Sequence, residues 1–280
     1  MTQPSEILRQ WQETAKHWTR YSDTIREMFM PLTEALVQAA GIKDGLTVLD
    51  VAGGAGEPSL TIAERVGPTG SVTCTDAISE MVEAARREAA SRGITNVQFQ
   101  QCTAESLPFG DDSFDVVVSR LGAMLFRDPL AAFGEMLRVL KPGGAIACIV
   151  WHKNEVNPFC HIVTDVVSRH VPAPPADPDA PGAFRFAEPG KLANIVTEAG
   201  AADVTEETLH FNIHAPISPE QFWTMRSETS DTLRVKLETL PESEKLQVAQ
   251  EVQQQVGQFF PNNQMNFPAQ MIMVTGRKPG

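Results

Sequence analysis

Between Leu46 and Trp151 short apolar runs alternate with amphipathic stretches, and this alternation limits what the chain can fold into more than any other feature. The first run, TVLDV at residues 47–51, is too short and too apolar for a surface helix and reads as a buried strand. Glycines follow it at once, and then a helix over 58–66, where Pro58 suits a first turn because no amide donor is needed there. The pattern continues with a strand over 71–75, a helix over 79–92 closed by Gly93, and strands over 97–101 and 114–119. A helix over 129–140 then ends at the turn Lys141-Pro142-Gly143-Gly144, and a strand over 145–151 closes the series. Strands alternating with helices in this way imply an α/β fold: a mostly parallel sheet with helices on both faces.

After Trp151 the rhythm breaks. A helix over 159–170 leads into the Pro- and Asp-rich stretch 171–184, which reads as a long surface loop. A helix over 191–199 stops at Gly200, a strand covers 204–213, residues 219–260 read as mostly helical, and a strand over 270–277 brings the sheet to seven. Ahead of the first strand, residues 5–40 read as two or three amphipathic helices carrying Trp11, Trp18, Tyr21, Phe29 and Met30. The expected division is an N-terminal helical lid (1–40), a core (41–155), a loop and helix insertion (156–190), a core continuation (191–218), a helical cap insertion (219–262) and a final core strand (263–280).

A chain of 280 residues can bury a core of this size. Its net charge of -12, with no Lys/Arg cluster, argues against a nucleic-acid partner. No apolar run approaches the roughly 18 residues of a membrane span, and the polar start lacks the pattern of a secretory leader, so a cytoplasmic place is expected. Cys74, Cys102, Cys148 and Cys160 form no CxxC pair and read as reduced thiols in or near the core; no metal site is expected. Oligomeric state is not readable.

The chemistry lies in Val48-Leu-Asp-Val-Ala-Gly-Gly-Ala-Gly-Glu-Pro-Ser59. Glycines between a strand and a helix let backbone amides approach a ligand, and the helix start adds partial positive charge. This suits a nucleotide-like ligand at the carboxyl ends of parallel strands. A dinucleotide pattern wants G-x-G-x-x-G, but counting from Gly54 the third glycine is Ser59.

Asp50-x-Ala52-x-Gly54-x-Gly56 resembles the D/E-x-G-x-G-x-G motif of class I S-adenosylmethionine-dependent methyltransferases, with Ala52 in place of the first glycine. Asp76 follows at the end of the second strand. Thr103-Ala104-Glu105-Ser-Leu-Pro-Phe109 resembles the D-A-E-x-L-P-F segment of the ubiquinone/menaquinone-type enzymes, with Thr103 in place of Asp, and Phe114-Asp115 and Arg138-Val-Leu-Lys-Pro-Gly-Gly144 complete the order. The resemblance covers residues 46–151 and implies a Rossmann-like fold and S-adenosylmethionine as cofactor. It implies cofactor contacts from Asp50, Ala52, Gly53, Gly54, Gly56, Asp76, Ala77, Thr103, Ala104, Glu105 and Ser119, with Asp76 on the ribose and the 103–105 segment framing the adenine.

Methyl transfer is a direct displacement and needs alignment and a dry site more than a conspicuous catalytic group. His152, directly after the fifth strand, is the candidate base. Trp18, Tyr21, Arg120 and His161 are candidate acceptor contacts; His161 and Asp165 share a helix face but lack a third metal ligand, and His210 and His214 fall in a later strand. The aromatics of residues 1–40, with Phe184, Phe186, Phe222 and Trp223, suit a small, partly apolar acceptor. Two other readings stay open: a nicotinamide-dependent oxidoreductase, and a cofactor-binding subunit without catalysis.

Overall fold

The computed structural model describes residues 17–18, 20–172 and 177–280. One seven-stranded sheet runs in the order β3-β2-β1-β4-β5-β7-β6. Its strands are β1 (Thr47–Val51), β2 (Ser71–Asp76), β3 (Val97–Gln101), β4 (Phe114–Arg120), β5 (Leu140–Trp151), β6 (Ala202–Ala215) and β7 (Met265–Arg277). The pairs among β1 to β5 are parallel, and β7 is antiparallel to both its neighbours. Central strands read as continuous apolar runs because both faces are covered; Val48, Leu49, Val117 and Val118 are fully buried.

From β1 the chain steps outward to β2 and β3, then returns past β1 to β4 and β5. Right-handed crossovers in opposite directions put the connecting helices on opposite faces. Among the described residues the α-helices are α1 (Ser22–Ala39), α2 (Ser59–Val66), α3 (Ser79–Ser91), α4 (Pro129–Val139), α5 (Pro158–His170), α6 (Lys191–Glu198), α7 (Pro219–Thr229), α8 (Asp231–Glu238) and α9 (Glu242–Val256). The direction reverses between β1 and β4, which opens a crevice at their carboxyl ends.

Some local expectations shift. Pro58 takes the N-cap position of α2 instead of its first turn. The Lys141-Pro142-Gly143-Gly144 segment lies inside β5: Phe114 pairs with Leu140, and the ladder resumes at Val116–Ala145 across an irregularity. The C-terminus satisfies this bulge, because Gly143 N–H donates to Lys278 O (2.9 Å) and Lys278 N–H donates to Gly144 O (3.0 Å). Helix starts carry their own caps where the sequence supplies a short polar side chain. Asp128 accepts from Ala131 N–H on α4, and Ser218 and Gln221 form a reciprocal box on α7.

Of the N-terminal segment, residues 1–16, with Trp11, lie outside the described residues. α1 packs along β4, β5 and β6 as a layer of the fold. The far end of the sheet buries a nest of aromatic rings: Trp151 stacks on Phe159 at 6.1 Å, and Phe159, Phe222 and Phe267 meet at 5.2–5.7 Å. Asn157 fixes this end, because its Nδ2 donates to His152 O, Lys153 O and Gln270 O while its Oδ1 accepts from Gln270 N–H.

Candidate active site

The crevice at β1 and β4 widens into a cleft of about 1060 Å³. One wall is the loop after β1, Ala52 to Ala55, and another is the end of β2 with Asp76, Ala77 and Ile78. The segment after β3 contributes Cys102, Thr103, Ala104 and Glu105, and the end of β4 contributes Arg120, Leu121 and Gly122. The roof comes from Trp18 and, on α1, Ser22, Ile25, Arg26 and Phe29.

The β1 loop is shaped by close packing. Gly53 N–H donates to Thr75 O (2.8 Å), and a Cβ at Gly53 would lie 2.8 Å from both Asp50 Oδ2 and Cys74 Sγ. Only glycine fits there. Gly54 is in the left-handed region (φ +57°) and a Cβ there would meet nothing within 4 Å. Its conformation and its opening toward the cleft both favour a bare backbone. Ala52 also has a positive φ (59°), as does Leu121 (61°) on the facing β4 turn. These are uncommon conformations for residues with a Cβ, and they sit on either side of the switch point. A Cβ at Gly122 would come within 2.6 Å of the Ala52 methyl, so the two turns are matched in size.

Asp50 is fully buried beneath this loop. Ser59 Oγ donates to its Oδ2 (2.6 Å), whereas Oδ1 has no partner among the described residues. Burial pushes the carboxyl from its ordinary 3.8 to about 7, against the pull of Ser59 and Arg120. Asp76 stands at the cleft wall. Its Oδ2 accepts from Gly54 N–H (3.0 Å) and its Oδ1 from Ile78 N–H (2.9 Å). Each oxygen keeps acceptor capacity. Burial raises this carboxyl as well, opposed by the backbone donors of Ile78, Gly54 and Ala77.

Glu105 joins two segments: its Oε1 accepts from Arg127 N–H (2.8 Å) and Asp128 N–H (3.2 Å), which ties the stretch after β3 to the start of α4. Phe109 turns away and meets Phe114 edge-on at 5.2 Å. Burial pushes the Cys102 thiol up to about 11, so it faces the cleft as a neutral group.

The fold therefore gathers Ala52, Gly53, Gly54, Asp76, Ala77, Thr103, Ala104, Glu105, Trp18 and Arg120 around one space, with Asp50 directly under it. Other expected site residues stand elsewhere. Gly56 lies behind the loop, where a Cβ would come within 3.0 Å of Leu60. Ser119 is fully buried beneath Gly122. His152 is off the cleft, because its Nδ1 accepts from Lys153 N–H (2.8 Å) next to the Asn157 knot. His161 pairs with Asp165 (3.4 Å) beside a separate depression with Gln254, Gln255 and Phe259. Tyr21 points to the cap instead: its hydroxyl donates to Glu228 Oε2 (2.7 Å), which Arg20 and His17 also approach. No histidine of the described residues lines the cleft.

Leu125, Phe126, Pro181 and Arg185 close one side, and no local sequence pattern marks them. The Pro/Asp-rich stretch is more than a surface loop. Its described part returns to the cleft, where Gly182 N–H donates to Met124 O (3.1 Å) and Arg185 donates to Phe126 O.

A parallel sheet that reverses at β1/β4, with a glycine loop there and an acid closing β2, defines the class of α/β domain that takes nucleotide-like ligands at its switch point. Within that class, residues 42–174 match the family described as a methyltransferase domain. A ubiquinone/menaquinone biosynthesis C-methyltransferase of Shewanella halifaxensis is 38% identical over 118 residues, 42% of this chain and 47% of that protein. The chain spans about half the length of the curated relatives it matches. Among solved structures, the YcgJ protein of Bacillus subtilis shares the fold at a TM-score of 0.57 and 24% identity, over 89% of this chain and 98% of that one. A phosphoethanolamine N-methyltransferase of Haemonchus contortus, solved with S-adenosyl-L-methionine, shares it at 0.54 and 17%, over 89% and 53%.

Proposed function

We propose that the protein is an S-adenosylmethionine-dependent methyltransferase that transfers the methyl group to a small-molecule acceptor held in the cleft. The observation that carries this reading is Asp76: an acid at the end of β2, its two oxygens each held by one backbone N–H, on the wall of a cleft whose facing loop carries the open Gly54. Charge-assisted acceptors placed in this way suit a pair of vicinal ribose hydroxyls. The orphaned Oδ1 of Asp50 and the open space over Gly54 support the same fit, because both offer polar or backbone contact that the fold leaves unused.

In this reading Asp76 holds the ribose, residues 103–105 flank the base, and the 52–56 loop with Asp50 beneath it receives the amino-acid end. Bound there, S-adenosylmethionine supplies a methyl carbon activated by a sulfonium and open to direct displacement. The chain's own task is to orient the acceptor and exclude water. Trp18, Ile25, Phe29, Leu121 and Leu125 give the cleft an apolar lining for that purpose. No described helix is long and apolar enough to cross a membrane, and we place the reaction in the cytoplasm.

The test is isothermal titration of the full chain with S-adenosylmethionine, S-adenosylhomocysteine and NADH, followed by transfer from labelled cofactor across an acceptor panel. Asp76→Asn should weaken S-adenosylhomocysteine binding about tenfold or more, the loss of charge-assisted bonds of about 1.5–3 kcal/mol. Binding of NADH alone, or unchanged affinity in the variant, refutes the reading. Tight cofactor binding with no transfer to any acceptor would favour a non-catalytic subunit.

A further inference from the structure

The cleft wall holds a cation whose hydrogen bonds among the described residues all go to uncharged acceptors. Arg120 ends β4, is only 8% exposed and lines the cleft. Its guanidinium donates to three uncharged acceptors: Phe29 O (3.3 Å) and Thr33 Oγ1 (2.6 Å) on α1, and Glu57 O (3.1 Å) just past the glycine loop. The guanidinium lies 6.0 Å from the Phe29 ring centre, and its Nε has no acceptor among the described residues. The nearby carboxylates attract it through space, and their direct hydrogen bonds go to other groups. Glu57 is held by Arg92 (2.6 Å) and Thr61 (2.7 Å), and Asp50 by Ser59 (2.6 Å).

Three bonds to carbonyls and a hydroxyl tie α1 to the sheet, but a neutral donor would do that without desolvating a charge. A buried charge whose hydrogen bonds all go to uncharged acceptors, with Glu57 and Asp50 attracting it only through space, is costly until an anion pairs with it directly. The guanidinium's planar fork matches a carboxylate bidentately. Arg120 also sits on the glycine-loop side of the cleft, on β4 two residues past the Val118 that pairs with Asp50, and away from the β2 end where Asp76 stands.

We propose that Arg120 is the carboxylate receptor of the cleft, and that it takes the carboxylate either of the cofactor's amino-acid end or of an acidic acceptor beside it. This rests on the cleft being the S-adenosylmethionine site, and the two sources share one chemistry that experiment separates.

The experiment is isothermal titration of full-length wild type, Arg120→Met and Arg120→Lys with S-adenosylhomocysteine and with 5′-methylthioadenosine, which keeps the nucleoside and thioether but lacks the amino acid. Protein loaded with S-adenosylhomocysteine is then titrated with octanoate and with octan-1-ol. If the cofactor carboxylate is the partner, Arg120→Met loses about tenfold or more for S-adenosylhomocysteine and nothing for methylthioadenosine, with Arg120→Lys between. If an acceptor carboxylate is the partner, both nucleosides bind as in wild type, and the preference of the loaded protein for octanoate over octanol disappears in Arg120→Met. Equal binding by wild type and Arg120→Met in every arm overturns the proposal. So does an equal loss for both nucleosides in Arg120→Lys, which marks Arg120 as a structural tie and also decides the matter if Arg120→Met does not fold. Wild type that binds neither nucleoside sinks the cofactor reading instead, and octanoate against octanol on the free protein still judges Arg120.

Discussion

Asp50 should make the ligand-free protein lose stability as pH rises through neutrality. Its carboxyl is fully buried, keeps one oxygen without a partner, and has its pKa pushed from 3.8 to about 7, chiefly by burial. The folded protein therefore holds this proton more tightly than the unfolded chain does. Below pH 3.8 both states are protonated and the stabilisation is fully present; between 3.8 and about 7 only the unfolded chain releases the proton, so stability falls by about 1.4 kcal/mol per pH unit. Above about 7 the loss levels off. Between pH 5 and 8 the expected loss is about 3 kcal/mol. Asp76, also raised by burial, acts in the same direction. The carboxyls held low, Glu135 by Arg138 and Asp115 by Lys141 and Thr47 N–H, contribute stability that disappears only below the ordinary carboxylate range, outside this window. Asp50→Asn keeps the side chain's size, removes the titration and should flatten most of the slope. Urea unfolding followed by circular dichroism at pH 5, 6, 7 and 8 gives both curves. If wild type and Asp50→Asn lose the same stability across that range, the buried carboxyl does not titrate as argued.

The two central loop glycines should separate stability from binding. Gly53→Ala drives a methyl into Asp50 and Cys74 and should cost about 1–3 kcal/mol in urea unfolding, whereas Gly54→Ala should cost about 1–2 kcal/mol through its left-handed backbone and show its larger effect as weakened S-adenosylhomocysteine binding. A Gly53→Ala protein as stable as wild type would show that the loop has room to shift. Tyr21→Phe removes the hydroxyl that donates to Glu228 and should lower unfolding stability by about 1 kcal/mol, because it loosens the start of α1 from α7; unchanged stability would mean that Arg20 and His17 hold that junction alone.

Local chemistry made much of this protein legible before any coordinates. The apolar run of β1, the glycines after it and the acid closing β2 are close in sequence, and each is dictated by its own backbone need: burial on both faces, close approach, a strand end. Periodicity and turn chemistry encode such needs directly, so the sheet class and the loop and strand-end residues on the cleft wall could be read there. The same logic misplaces residues whose role depends on direction. His152 directly follows β5, as a candidate base should, yet the Asn157 knot turns its ring toward Lys153 N–H. Tyr21 lies on the roofing segment, yet its hydroxyl finds Glu228, 207 residues away. Arg120, Phe29 and Thr33 meet only because α1 lies across the end of β4, and Arg185 reaches the cleft only because its loop folds back onto Phe126. Sequence by itself determined the order of strands and helices and the residues that must be glycine or acid at the strand ends, but not the turn at 141–144, which the sheet takes into β5. Which side chains converge on the cleft was decided by the tertiary structure, because such contacts arise from crossover direction and packing between distant segments, and no local pattern records them.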